Sequence, residues 1–213
     1  MPPIAAFAIA YLSGSLPFAF LAGRLLKGID LRTVGSGNLG ATNVYRTLGA
    51  PAAVVVLLLD ALKGALPVVL LTPRITEVVA APAGSHTPAW MGLIVGIAAI
   101  LGHAKPIFLL WRGGGKGVAT TAGVFGALVP AGLGIAVLVF TGVVWRTRIV
   151  SLGSMIAALV LPLAIALTEG VSSPFALVAV AVAGFVVWTH RANIERLRDG
   201  TEPRLGAPGA GSR

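Results

Sequence analysis

Apolar runs of membrane-spanning length alternate with short polar segments along most of the chain. A helix needs about 20 largely apolar residues to cross a bilayer, and residues 4–26, 51–71, 88–101, 149–167 and 174–189 are candidates. Residues 118–145 are the difficult run: as one helix they would measure about 42 Å, too long for one upright crossing. Pro130, Gly132 and Gly134 interrupt it. Two short crossings hinged near Pro130 place residues 23–50, 103–116, Arg146 with Arg148, and the C-terminal segment on one side. Fourteen of the sixteen Lys and Arg residues then share a compartment, leaving Arg74 opposite and Lys63 inside a helix. By the positive-inside rule that compartment is the cytoplasm. The pattern predicts an all-α, polytopic integral membrane protein with seven transmembrane helices, N-terminus outside and C-terminus cytoplasmic. Six crossings are the alternative.

Composition agrees: of 213 residues, 56% are hydrophobic and 11% charged, more apolar surface than a soluble domain this size can bury. No apolar-poor stretch is long enough for a separate soluble unit, so one domain over residues 1–204 is expected, with 205–213 as a disordered tail. The N-terminal segment lacks the basic region of a cleaved signal and reads as a retained membrane helix. A net charge of +9 points to lipid headgroups and small anionic substrates rather than nucleic acid, because the basic residues border apolar runs. Absence of cysteine removes disulfides and thiolate chemistry.

Three polar segments fall on the predicted cytoplasmic side. The first, GSGNLGATNVYRTLG at 35–49, combines glycines that can turn backbone N–H groups toward one point with Ser36, Asn38, Thr42 and Asn43. Arg46 adds a planar fork for phosphate or carboxylate. The second, GHAKPIFLLWRGGGKGVATTAG at 102–123, runs through Gly113, Gly114, Gly115, Lys116 and Gly117 into a helix that includes Thr120. A phosphate can rest there on amides at a helix N-terminus beside Lys116. It is not a Walker A loop, since Leu110 replaces the first glycine and Gly117 follows the lysine. His103 is open between general base, phosphate partner and helix cap. The third, THRANIERLRDGTEPR at 189–204, places His190 and Asn193 one helical turn apart, with Arg196 turned from that stripe. Within the membrane, Asp60 and Lys63 lie three apart and are expected to neutralise each other structurally. His86 receives no role, and no carboxylate cluster suggests a metal site.

Together, GSGNLGATNVYR, GHAKPIFLLWRGGGKGVATT and HRANIERLRDGTE, in this order and between these helices, resemble the bacterial membrane glycerol-3-phosphate acyltransferase that uses acyl phosphate. The resemblance covers residues 1 to about 202. It implies acyl transfer from acyl phosphate to the 1-hydroxyl of glycerol 3-phosphate, giving lysophosphatidic acid and inorganic phosphate, the first step of phospholipid synthesis. It also implies an inner-membrane location, motifs in cytoplasmic loops, no cofactor, and neither acyl-CoA nor acyl carrier protein as donor. A monomer among membrane lipids is expected.

Residue by residue, the family's first-motif serine and arginine match Ser36 and Arg46, with Asn38 and Asn43 beside them. Its glycerol 3-phosphate loop matches Gly113 to Gly117 with Lys116. Its third-motif histidine and asparagine match His190 and Asn193, and its structural glutamate matches Glu202. Arg112 followed by three glycines departs from the expected lysine and two glycines.

Ser36, Lys116, His190 and Asn193 are thus the expected catalytic group. Asn38, Asn43, Arg46, His103, Gly113, Gly114, Gly115, Gly117, Thr120 and Arg196 are expected to bind substrate. Ser36 has no adjacent histidine, which favours direct transfer without an acyl-enzyme. The His-x4-Asp signature of other acyltransferases for this acceptor is not met, since Glu195 stands five positions after His190. A transporter of organic anions would need a polar route from the opposite face and, commonly, repeated halves; the sequence offers neither. A noncatalytic lipid-binding scaffold would leave the three motifs unexplained.

Overall fold

A computed structural model describes residues 1–76 and 89–206. Among these, ten α-helices and one 3-10 turn account for all the regular structure. Helices α1 (Pro3–Gly14) and α2 (Phe18–Lys27) form one apolar rod broken at Ser15 to Pro17, since Pro17 lacks the N–H that would continue the helical ladder. A loop leads to α3 (Ala41–Leu48), followed by α4 (Ala50–Thr76) and α5 (Ala89–Ala104). After the 3-10 turn Ile107–Leu109 come α6 (Val118–Leu128), α7 (Pro130–Thr147), α8 (Val150–Glu169), α9 (Pro174–Thr189) and α10 (Arg191–Arg198).

The long apolar run does break at Pro130. Val129 leaves the helical conformation at φ −144°, ψ 68°, and Pro130 opens α7, a position where the missing N–H costs nothing. Helix α6 is then only 11 residues long. Five segments are long and apolar enough to cross a membrane: Pro3–Lys27, Ala50–Ile75, Trp90–Leu109, Pro130–Thr147 and Val150–Glu169. Helices α9 and α10, bent by 58°, make a sixth if taken as one span.

Small residues let the helices approach closely, the usual solution where lipid supplies no hydrophobic drive. Helix α1 meets α5 with Gly14 against the Ala99 backbone, and α4 meets α6 with Gly64 against Thr120 and Gly123 against Ala61. The main core joins α1 and α4 to α9 through residues such as Val95, Phe125 and Ile165, all at most 1% exposed. A second cluster, Ala19, Leu31, Leu39, Val44, Ala53 and Val56, pins the 28–40 loop and α3 against the start of α4. Large side chains such as Leu25, Leu138, Leu163 and Leu167 face outward, as a lipid-facing surface requires. His86 and residues 207–213 of the expected tail lie outside the described residues; Leu205 donates its N–H to the Arg148 carbonyl at 2.7 Å.

Candidate functional site

The three polar segments, far apart in the chain, converge on one cavity of about 120 Å³ at one end of the helix bundle. Its walls include Ser36, Asn38, Asn43 and Arg46 from the first segment, Lys116 and Gly117 from the second, and His190, Asn193 and Glu202 from the third.

The first loop holds its shape through Asn43. This side chain is 1% exposed; its Oδ1 accepts from the Ser36 N–H at 2.9 Å, and its Nδ2 donates to the Leu31 and Val34 carbonyls at 3.2 and 3.1 Å. Gly35 has φ +65°, and a Cβ there would run into Asn43 Oδ1. Asn43 therefore lines the cavity with its amide already committed to the loop. Upstream, Arg32 donates to both oxygens of Asp30, which lowers the Asp30 pKa to about 2. Arg32 Nη1 also reaches the Arg112 carbonyl at 3.3 Å, tying the first loop to the second. Among the described residues, no hydrogen bond or ion pair engages the Arg46 guanidinium or the Ser36 hydroxyl, so both can meet a ligand. Burial pushes the Arg46 pKa down, against the pull of the Glu202 carboxylate.

The glycine loop is fastened from three sides. Leu39 N–H and Asn38 Nδ2 donate to the Gly114 carbonyl, each at 3.3 Å; Gly115 N–H donates to the His103 carbonyl at 3.2 Å; and Thr189 Oγ1 donates to the Lys116 carbonyl at 3.4 Å. Gly117, at φ +83°, starts α6, whose first-turn amides have no acceptor within the helix. Val118 and Ala119 from that turn line the cavity. Lys116 Nζ donates to Asn193 Oδ1. Burial lowers the Lys116 pKa to about 8; the Glu202 carboxylate opposes the shift, and Arg196 and Arg46 add to it.

In the third segment, His190 sits at the α9 to α10 bend with Nδ1 2.7 Å from the Val186 carbonyl. A carbonyl can only accept, so Nδ1 carries the proton and Nε2 is left as an acceptor. Burial and then the charge of Lys116 lower its pKa to about 4, so the ring is neutral near pH 7. Glu202 closes the network: Oε1 accepts from Asn193 Nδ2 at 2.6 Å and Ser151 Oγ at 2.7 Å, and Oε2 from Arg196 Nε at 2.7 Å. Desolvation favours a neutral Glu202, but these three donors outweigh it and hold the carboxyl below its usual range.

Some expected ligands stand elsewhere. Thr120 is fully buried where α6 packs on α4 and is absent from the cavity wall. Gly113, Gly114 and Gly115 build the loop without lining the main cavity; Gly114 and Gly115 face a smaller space shared with Asp60, Lys63 and His103. Arg196 acts through Glu202 rather than at the wall. Asp60 and Lys63 do pair, at 2.7 Å, yet Asp60 also faces the cavity, as does His103.

Ser151 and Ser154, outside the three polar segments, also line the cavity, from the start of α8. Their i, i+3 spacing directly after the basic pair Arg146 and Arg148 was the available signal.

A second, apolar cavity of about 360 Å³ adjoins the first. The two share Leu57, Val118, Ala119, Phe140 and Ser154 as walls, and the apolar one continues between α4, α7 and α8 past Val137, Ala157 and Leu161. A charged, donor-rich chamber thus shares its walls with a lipid-like groove. The pair suits a molecule with an anionic head and an aliphatic tail.

A family model described as glycerol-3-phosphate acyltransferase matches residues 4–200. A glycerol-3-phosphate acyltransferase of Synechococcus sp. (strain CC9902) is 48% identical over 203 residues, covering 95% of this chain and 94% of that protein. One from Geobacter sulfurreducens is 45% identical over 201 residues, covering 94% and 96%. Among solved structures, the glycerol 3-phosphate form of PlsY (YgiH), an integral membrane glycerol 3-phosphate acyltransferase, superposes with a TM-score of 0.83 at 36% identity over 96% of each chain. The lysophosphatidic acid form of PlsY gives 0.80 at 34% identity, covering 98% of this chain and 97% of that one.

Proposed function

The chain belongs to the glycerol-3-phosphate acyltransferase family, and from that membership we propose that it moves an acyl group from acyl phosphate to the 1-hydroxyl of glycerol 3-phosphate, releasing lysophosphatidic acid and inorganic phosphate. The observation that carries this reading is the shared wall between the cationic chamber and the apolar groove. The donor's tail lies in the groove and its carbonyl reaches the junction near Phe140 and Ser154. Its phosphate enters the chamber, where Arg46 and the α6 amides offer positive potential. The Lys116–Gly117 end of the glycine loop, which reaches the cavity wall, holds the phosphate of the acceptor.

The hydroxyl oxygen of the acceptor attacks the acyl carbon, and the carbon–oxygen bond to phosphate breaks as inorganic phosphate leaves. An acyl phosphate is already activated, and no histidine hydrogen-bonds the Ser36 hydroxyl among the described residues, which supports direct transfer over an acyl-enzyme. The Ser36 hydroxyl and backbone amides supply oxyanion donors, each typically contributing about 3 kcal/mol. His190, with a pKa of about 4, is a weaker base than a phosphate oxygen, whose second pKa is about 6. His190 Nε2 therefore orients the attacking hydroxyl, and the proton passes to a substrate phosphate oxygen.

Seven crossings, with α6 as a short one, place all three segments on the cytoplasmic face of a bacterial inner membrane. Fourteen of sixteen basic residues on that side support the arrangement, and the protein acts as a monomer. The test supplies purified protein with labelled glycerol 3-phosphate and palmitoyl phosphate. Lysophosphatidic acid and phosphate should appear in equal amounts. Uptake of unchanged glycerol 3-phosphate into proteoliposomes, without product, would mark a transporter instead.

A further inference from the structure

Two charges inside a membrane helix are an expensive way to stabilise a fold, since an apolar pair of similar volume serves as well or better. Asp60 and Lys63 are nonetheless at most 5% exposed, within the apolar helix α4. Their surroundings indicate what they do. Lys63 Nζ lies 2.7 Å from Asp60 Oδ1 and donates to the Leu16 carbonyl at 2.7 Å, at the break between α1 and α2. Ser13 Oγ, also from α1, donates to the Lys63 carbonyl at 3.3 Å. The same Asp60 Oδ1 lies 3.6 Å from His103 Nδ1, a buried polar contact just beyond hydrogen-bond length.

His103 then meets the glycine loop twice. Its carbonyl accepts from the Gly115 N–H at 3.2 Å, and its ring occupies the place where a Cβ on Gly115 would lie. Gly115 immediately precedes Lys116, one of the cations of the chamber. A continuous set of contacts therefore runs from the α1 to α2 break, through Lys63 and Asp60 to His103, and on to the loop that carries Lys116.

We propose that Asp60 and His103 are positioning residues for the acceptor phosphate: Asp60 fixes the His103 ring, and His103 fixes Gly115 and with it the loop that presents Lys116. This rests on the acyltransferase reading and on the glycine loop as the glycerol 3-phosphate site. The donor is held chiefly by its tail in the groove, so the acceptor's KM is the more sensitive quantity.

The experiment compares wild type with D60N, H103Q and H103N in steady-state assays that vary each substrate, alongside thermal unfolding. D60N and H103Q should raise KM for glycerol 3-phosphate by about tenfold or more, the scale of a small misplacement of a binding group. KM for acyl phosphate should stay within about twofold of wild type in the same variants. H103N carries its amide where ring Nδ1 stood, whereas glutamine reaches the Nε2 position. H103N alone keeps a donor toward Asp60 but gives up the ring edge that packs on Gly115, so it should be impaired less than H103Q without reaching wild type. Purely structural residues would lower the unfolding temperature without this split or rescue. The two His103 variants leave the Asp60–Lys63 pair intact and decide the question even if D60N fails to fold. Unchanged acceptor KM in folded variants, or equal impairment of H103N and H103Q, overturns the inference while leaving an active wild type as evidence for the enzyme. An inactive wild type overturns both.

Discussion

Asn43 Oδ1 accepts the Ser36 N–H at 2.9 Å, across seven residues of chain, and so folds the first polar loop back onto the helix that follows it. Through Nδ2 the same amide satisfies two further backbone carbonyls. The side chain has the right chemistry for a ligand but serves as the internal clamp that sets the position of Ser36. Asn43→Ala strands three backbone groups at a buried site and should destabilise the protein by about 1–3 kcal/mol. Thermal unfolding in detergent measures this, and kcat/KM should fall by about tenfold or more as Ser36 is released. Asn43→Asp keeps the acceptor and loses both donors, so it should also be impaired.

The charge on Lys116 sets an alkaline limit. With a pKa of about 8, the ammonium is present below that pH and lost above it. Rates of kcat/KM measured from pH 6 to 10 should fall through pH of about 8. Because the Glu202 carboxylate holds the Lys116 pKa up, Glu202→Gln should move this limb to lower pH. Lys116→Arg should abolish the limb at a lower overall rate, because the guanidinium stays charged but does not fit the Asn193 contact.

His190 should leave no trace as a titrating base near neutrality. Its pKa of about 4 keeps it neutral from pH 5 upward, so protonation of His190 should not lower kcat between pH 7 and 5. His190→Gln, which can place an acceptor near Nε2, should retain more kcat than His190→Ala. A wild-type acid limb at pH of about 6.5 that disappears in His190→Gln would show that histidine takes the proton after all.

The apolar groove can be filled selectively. Ala157 lines it from α8, beyond the walls shared with the polar chamber. Ala157→Phe should raise KM for palmitoyl phosphate by about tenfold, since overpacking costs roughly 1–3 kcal/mol. KM for glycerol 3-phosphate should not change, and octanoyl phosphate should be less affected than palmitoyl phosphate.

The apolar runs and the three polar segments were readable because each is a local pattern: length for a span, glycine and hydroxyl density for a loop. The break at Pro130 was readable for the same reason, since proline imposes it on its own backbone. What escaped depends on packing between distant helices. Ser151 reaches the site only because α8 brings it to Glu202. Thr120 looks like part of the phosphate loop in sequence, but α6 turns it toward Gly64 of α4. The pairing of Asp60 with Lys63 follows from their spacing; that Asp60 also faces the chamber and His103 follows only from the placement of α5. The apolar groove has no sequence signature, because its walls come from five helices whose lipid-facing and groove-facing residues are chemically alike.

Purified protein receives glycerol 3-phosphate together with equal concentrations of palmitoyl phosphate and palmitoyl-CoA, the two acyl chains carrying different isotopes, and the label in lysophosphatidic acid is read by mass spectrometry. Use of acyl phosphate as the donor requires product labelled from palmitoyl phosphate, with inorganic phosphate released in equal amount. Product labelled from palmitoyl-CoA, or none from either donor in folded protein, would contradict it.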